Sequence, residues 1–146
     1  MYDDILVPTD GSKGTDRTIE HAVSIARNND ATLHALYVVD RRMYLAASKD
    51  TEDDVMRSLE EEGEVALDDV VTRAEEAGLA VERVMREGVP HRTIIDYVEE
   101  AGIDLVVMGT HGKTGRDRVG TLGSVTERIV GNVAAPVLVV DIGGDA

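Results

Sequence analysis

Five short apolar runs punctuate the chain, at residues 5–7, 32–39, 80–86, 105–108 and 137–140, and between them apolar positions recur at helical intervals. The first, fourth and fifth runs are continuously apolar, the pattern of parallel strands covered on both faces. The third alternates, setting Val81 and Val84 among charged neighbours, which places it at an edge of the sheet. Residues 15–28 bring Ile19, Ala22, Val23 and Ala26 onto one helical stripe, and Asn28, Asn29 and Asp30 end it with turn formers. Residues 51–76 keep the helical period through Val55, Leu59, Ala66, Val70 and Ala74, although Gly63 interrupts it at a cost of about 1 kcal/mol relative to alanine.

Punctuation residues set the remaining boundaries. Gly78 stops the long helix, and Pro90 opens a third, 90–100, whose Ile94, Ile95 and Val98 face the sheet before Gly102 closes it. Ser124, with Glu127 three residues on, reads as the N-cap of a fourth helix, 124–133, with Asn132 near its end; Pro136 starts the last strand. Strands alternating with helices, joined by right-handed crossovers, predict an α/β fold: a single doubly wound five-stranded parallel sheet with helices on both faces. A chain of 146 residues holds one such domain, assigned to 1–141, with 142–146 as an acidic flexible tail.

Composition narrows the partners. With no Phe or Trp, the core is built from Val, Ile, Leu, Ala and Met. Fifteen basic against 29 acidic residues give a net charge of −14, which repels phosphate backbones and anionic bilayers and so argues against nucleic acid and membrane partners. That charge suits a cytoplasm of high ionic strength, where screening relieves self-repulsion. Residues 50–76 carry twelve acids and two bases, the signature of a solvated helix face. The start Met1-Tyr2-Asp3-Asp4 lacks the basic residues of a signal peptide, and the apolar run behind it is too short for one, so a cytoplasmic location is expected. Without cysteine there is no thiol nucleophile and no disulfide.

Candidate chemistry concentrates in two loops. Residues 109–124 hold five glycines and three cations, Lys113, Arg116 and Arg118, against the single acid Asp117. A strand that ends in glycines and re-enters a helix exposes backbone N–H groups where the helix dipole favours an anion, and a basic loop on so acidic a chain points the same way. The other loop, Pro8-Thr9-Asp10-Gly11-Ser12, brings Thr9, Asp10 and Ser12 to the end of the first strand, within reach of a ribose, a phosphate or Mg²⁺; its structural alternative is a turn with Ser12 capping the first helix. In a doubly wound sheet both loops meet where the strand order reverses. His21, His34 and His91 read as structural, whereas His111 sits in the glycine loop, either against a phosphate or packing the loop itself.

Familiar signatures are missing. Gly112-Lys113-Thr114 has its preceding glycine three residues back rather than the five of a Walker loop, and there is no G-x-G-x-x-G, G-x-S-x-G or H-E-x-x-H.

Nearly the whole chain resembles the universal stress protein family. The likeness rests on Ile5-Leu6-Val7-Pro8-Thr9-Asp10-Gly11-Ser12, Leu36-Tyr37-Val38-Val39-Asp40, Glu87-Gly88-Val89-Pro90, Met108-Gly109-Thr110-His111-Gly112, Gly123-Ser124-Val125-Thr126 and Pro136-Val137-Leu138-Val139-Val140. The resemblance implies a Rossmann-like fold of the adenine nucleotide alpha hydrolase kind, ATP as ligand with Mg²⁺ accompanying it, and a homodimer formed through the last strand. It implies that Gly109, Gly112, Gly123 and Ser124 hold phosphates and ribose, with Met108, His111 and Val125 beside them. Pro8, Thr9 and Asp10 would flank the nucleotide, Asp10 being the protein contact open to Mg²⁺, and the backbone of Val38 would meet adenine. Val137, Leu138, Val139 and Val140 would form the dimer edge, since an apolar strand edge left open is a liability; the alternative cover is the chain's own tail.

One departure stands out. The nucleotide-binding branch carries G-x₂-G-x₉-G-[S/T], but here ten residues separate Gly112 from Gly123. The extra residue either bulges at Gly115 or Gly120 or draws the Ser124 amide away from a γ-phosphate, favouring ADP, AMP or no nucleotide. The expected function is an ATP-binding stress-response protein acting as a dimeric nucleotide-dependent sensor or regulator, with slow hydrolysis at most. Its alternatives are a nucleotide-free or AMP/ADP-binding interaction protein and, less well supported, an ATP-pyrophosphatase-type enzyme. The latter needs a serine-glycine-glycine loop where this chain has Thr9-Asp10-Gly11-Ser12.

Overall fold

The computed structural model describes residues 1–12, 15–110 and 122–142. Within them the order is β1 (Asp4–Pro8), α1 (Thr15–Asn29), β2 (Thr32–Asp40), α2 (Arg41–Leu45), α3 (Glu52–Glu76), β3 (Val81–Gly88), α4 (Pro90–Ala101), β4 (Leu105–Gly109), α5 (Ser124–Asn132) and β5 (Val137–Val140). All strand pairs are parallel, in the order β3-β2-β1-β4-β5. Successive side chains of a strand point to opposite faces, so β1 sends Ile5 and Val7 toward α1 and α3 and Leu6 toward α4 and α5. Both faces are covered, which is why the run is continuously apolar. Each fully buried Ile, Leu or Val contributes about 1.5–3 kcal/mol of transfer free energy, an upper estimate. The alternating strand β3 lies at one edge, and β5, half-buried over three of its four residues, at the other.

Helix ends follow the sequence with one correction. Pro90 occupies the first turn of α4 behind Val89, and Gly102 closes that helix in the left-handed region (φ 66°), its N–H bonded to the Val98 carbonyl. At α5 the N-cap is Gly123, in extended conformation (φ −65°, ψ 159°), with no side-chain cap. Ser124 is therefore the first helical residue rather than the cap, and the Glu127 amide donates to the Gly123 carbonyl at 2.9 Å.

The short helix α2 has no periodic signal in the sequence. Asp40 starts it: one carboxylate oxygen accepts from the Arg42 backbone N–H (3.1 Å) and Nε (2.9 Å), and the other from Arg42 Nη2 (2.8 Å). Tyr44 Oη donates to Glu87 at the end of β3 (2.9 Å).

Gly63, a weak point when α3 is considered alone, is where α3 closes on the sheet. A Cβ there would lie 2.5 Å from Tyr37 Cδ2 and 2.8 Å from Met85 Cε. The acidic face of α3 is also less free than composition suggests. Arg83 of β3 pairs with Glu64 and with Asp68 (3.0 Å), and Arg73 reaches Asp16 of α1 (2.9 Å). Such exposed pairs contribute roughly 0–1 kcal/mol each, but they orient α3 against its neighbours.

His34 is buried in β2, its ring nitrogens 2.7 Å from Tyr97 Oη and 2.9 Å from Asp4 Oδ1, an interior hydrogen-bonded histidine.

Candidate functional site: a cleft at the strand switch

Strand order reverses between β1 and β4, and the chain leaves these two strands in opposite directions. The divergence opens a cleft of about 740 Å³ beyond their carboxyl ends, within the size range of small-molecule sites.

At one end of the cleft is an unshared stretch of strand. The last β1–β2 bond runs from the Thr9 amide to the Leu36 carbonyl (2.9 Å), in the register Pro8↔Leu36, while β2 continues to Asp40 alongside β3. Backbone groups of a strand alternate sides with a period of two, so the N–H and C=O of Val38 point the same way as those of Leu36, into the cleft. A parallel donor and acceptor there match the N1 acceptor and amino donor of adenine. Met43 of α2 and Ala46 at its end, Leu59 of α3 and Ile94 of α4 supply apolar lining.

The other end is a helix terminus. Thr110 donates its amide to Val140 (2.9 Å) and accepts at its carbonyl from Gly123 (2.8 Å), while Thr126 Oγ1 donates to the Gly109 carbonyl (2.9 Å). These bonds draw β4, β5 and α5 together. The Gly123 amide is thereby used, and the first-turn amides of Ser124, Val125 and Thr126 have no intrahelical acceptor. They open on the cleft, where an anion gains from both the donors and the helix dipole. Ile142, assigned to the tail by sequence, lies across Gly109, so close that a Cβ on Gly109 would meet its Cδ1 at 2.8 Å.

Between the ends, the first loop is closed by its own side chains. Asp10 Oδ1 accepts from the Ser12 amide (2.9 Å), and Thr9 Oγ1 accepts from the Gly11 amide (3.3 Å). The Ser12 carbonyl in turn accepts from Thr15 Oγ1 (2.6 Å).

The fold thus brings Pro8, Thr9, Asp10, Val38, Met108, Gly109, Gly123, Ser124 and Val125 to one cleft. His111 and Gly112 lie outside the described residues, as do Lys113, Arg116 and Arg118. The sequence reading missed the walls that come from elsewhere in the chain: Asp40, Arg42, Met43 and Ala46, Pro90 and Ile94, and Ile142. Only Asp40 left a signal, as a capping residue type at the end of a strand-like run.

Charge is divided unevenly around the cleft. Burial, reinforced by the negative charges of Glu62, Asp10 and Asp40, pushes the Tyr37 hydroxyl up to about 12. Its hydrogen bonds to Arg42 hold the Asp40 carboxyl below the usual carboxylate range. His91 is pushed down by burial and then by the nearby guanidinium groups of Arg128, Arg92 and Arg42. A lowered carboxylate pKa stabilises the fold above the group's unfolded value and loses that contribution as pH falls through the folded one. Asp40→Asn is therefore expected to cost about 1 kcal/mol near neutral pH, with the gap to wild type closing below about pH 4, as thermal melts across an acid series will read.

A second groove, about 920 Å³, runs between the first loop and α3. It is bordered by Asp10, Asp16, Glu61, Glu62 and Asp69, a field that repels phosphate; Asp10 and Glu62 also line the cleft at the strand switch. Among the described residues no three His, Asp or Glu side chains are grouped to hold a metal ion, and no helix is long and apolar enough to cross a bilayer.

The model of the universal stress protein family matches residues 1–141. A universal stress protein of Methanocaldococcus jannaschii, MJ0531, is 42% identical over 141 residues, covering 96% of this chain and 82% of its own. The solved structure of a second protein of that organism, MJ0577, superposes with a TM-score of 0.87 at 30% identity, covering 99% of both chains. A universal stress protein family structure from Arabidopsis thaliana, solved with AMP bound, has a TM-score of 0.71 over 95% of this chain and 91% of its own; at 22% identity the likeness is one of fold.

Proposed function

From the premise that this chain belongs to the universal stress protein family, we propose that it binds an adenine nucleotide in the cleft between β1 and β4, the base against Val38 and the phosphates on the first turn of α5. The observation that carries this reading is that the outward N–H and C=O of Val38 and the uncapped N-terminus of α5 open into the same cavity. The AMP held by the Arabidopsis relative supports the ligand class.

Mg²⁺ would arrive with the phosphates, with Asp10 among the carboxylates of the cleft lining. Binding rather than turnover is the role proposed. Asp40 is clamped by Arg42, and Asp10 accepts from the Ser12 amide, so both carboxylates already have roles in holding the loops. The protein would then act as a nucleotide-dependent sensor or regulator. Calorimetry with AMP, ADP and ATP, with and without Mg²⁺, tests this: submillimolar binding of adenine nucleotides but not of GTP is expected. Absence of heat with all three adenine nucleotides would contradict it.

The proposed assembly is a homodimer through β5. Pro136 and Val140 carbonyls accept from Val106 of β4 and from Thr110 just after it, so by alternation the N–H and C=O groups of Val137 and Val139 face the open edge. Val139→Pro deletes an outward donor without touching the β4 ladder. It is expected to convert dimer to monomer in light-scattering measurements, whereas a persisting dimer would place the interface elsewhere.

A further inference from the structure

Sulfur in this chain is all methionine, five residues with no cysteine. Met56 and Met85 are partly buried against the core, and Met108 is 6% exposed at the floor of the cleft. Met43 is 55% exposed, yet it lines the base end of the same cleft. The backbone around it is held on both sides, by the Asp40–Arg42 clamp before it and by the Tyr44–Glu87 hydrogen bond after it. Met1, 98% exposed, precedes β1 and so lies at the amino end of the sheet, away from the cleft.

We propose that Met43 is an oxidation-sensitive wall of the nucleotide cleft, so that its conversion to the sulfoxide by hydrogen peroxide weakens adenosine binding. This rests on the nucleotide reading above. The thioether sulfur attacks the peroxide oxygen: an S–O bond forms, the O–O bond breaks, and water leaves after proton transfer. Sulfur loses two electrons and the peroxide gains them. The product is a polar group where an apolar side chain met the base. A bound base covers Met43, so ligand and oxidant compete for the same surface.

The test treats purified protein with hydrogen peroxide, with and without saturating AMP, and follows each methionine by peptide mass spectrometry. AMP is expected to slow oxidation of Met43 about tenfold and to leave Met1 unchanged. Oxidised wild type is expected to bind AMP about tenfold more weakly than the reduced protein. Met43→Leu, whatever its starting affinity, is expected to keep that affinity after peroxide. Equal oxidation of Met43 with and without AMP, undiminished affinity after oxidation, or loss of affinity in the leucine variant as well would each overturn the inference alone. Reduced wild type that binds no adenine nucleotide would overturn it together with the reading on which it rests.

Discussion

Ser124→Pro is expected to weaken binding of AMP and ATP by about ten- to a hundredfold while leaving adenosine affinity within about twofold, because it deletes one charge-assisted donor and little else. Ser124 is the first residue of α5, a position where proline's fixed φ suits a helix and its missing N–H breaks no intrahelical bond. The preceding residue must be extended before a proline, and Gly123 already is, at φ −65° and ψ 159°. The bond from the Gly123 amide to Thr110 is untouched. Ser124→Ala, which removes the hydroxyl and keeps the amide, is expected to stay within about threefold of wild type. Calorimetry with AMP and adenosine separates the two ends of the cleft. A proline variant that binds AMP as tightly as wild type would remove the phosphates from α5.

Gly63→Ala is expected to lower the melting temperature by a few degrees, although alanine is the better helix former. Propensity favours the change by about 1 kcal/mol. Against it stand the Tyr37 ring and Met85 at 2.5–2.8 Å from the new methyl group, where overpacking costs typically 1–3 kcal/mol. Tyr37 is buried on β2, whereas Met85 can bend away; the net cost is about 0–2 kcal/mol. Gly131→Ala in α5 is the internal control, since nothing lies within 4 Å of its Cβ position, and it is expected to raise the melting temperature slightly. Parallel melts of the two variants should move in opposite directions. Two increases would mean that α3 does not close on β2 at Gly63.

What sequence could reveal depended on how local each cause was. β1 and β4 were legible because burial on both faces leaves a continuous apolar run, and the edge position of β3 was legible because one-sided burial leaves alternation. Thr9, Asp10 and Gly109 stood out because they follow or end apolar strand runs, and Gly123 because it precedes a helical pattern. The helix α2 was not, since five residues are too few to display a period. At α5 the S-x-x-E pattern displaced the cap by one residue, because glycine also serves as an N-cap and the choice depends on backbone angles. The role of Gly63 and the pairing of α3 acids with Arg83 come from β2 and β3, distant in sequence, and no local pattern announces them. Ile142 belongs with these, because only the folded chain lays it across Gly109.

Gly123, Ser124 and Val125 line the cleft together with Gly109. Titrating AMP into isotopically labelled protein and following backbone amides by NMR asks directly where the ligand sits. The amides of Val38, Gly109, Ser124 and Val125 should shift together and saturate at one affinity. Shifts confined to Gly11, Val65 and Asp69, around the acidic groove, or a spectrum unchanged at millimolar AMP, would contradict a nucleotide held between β1 and β4.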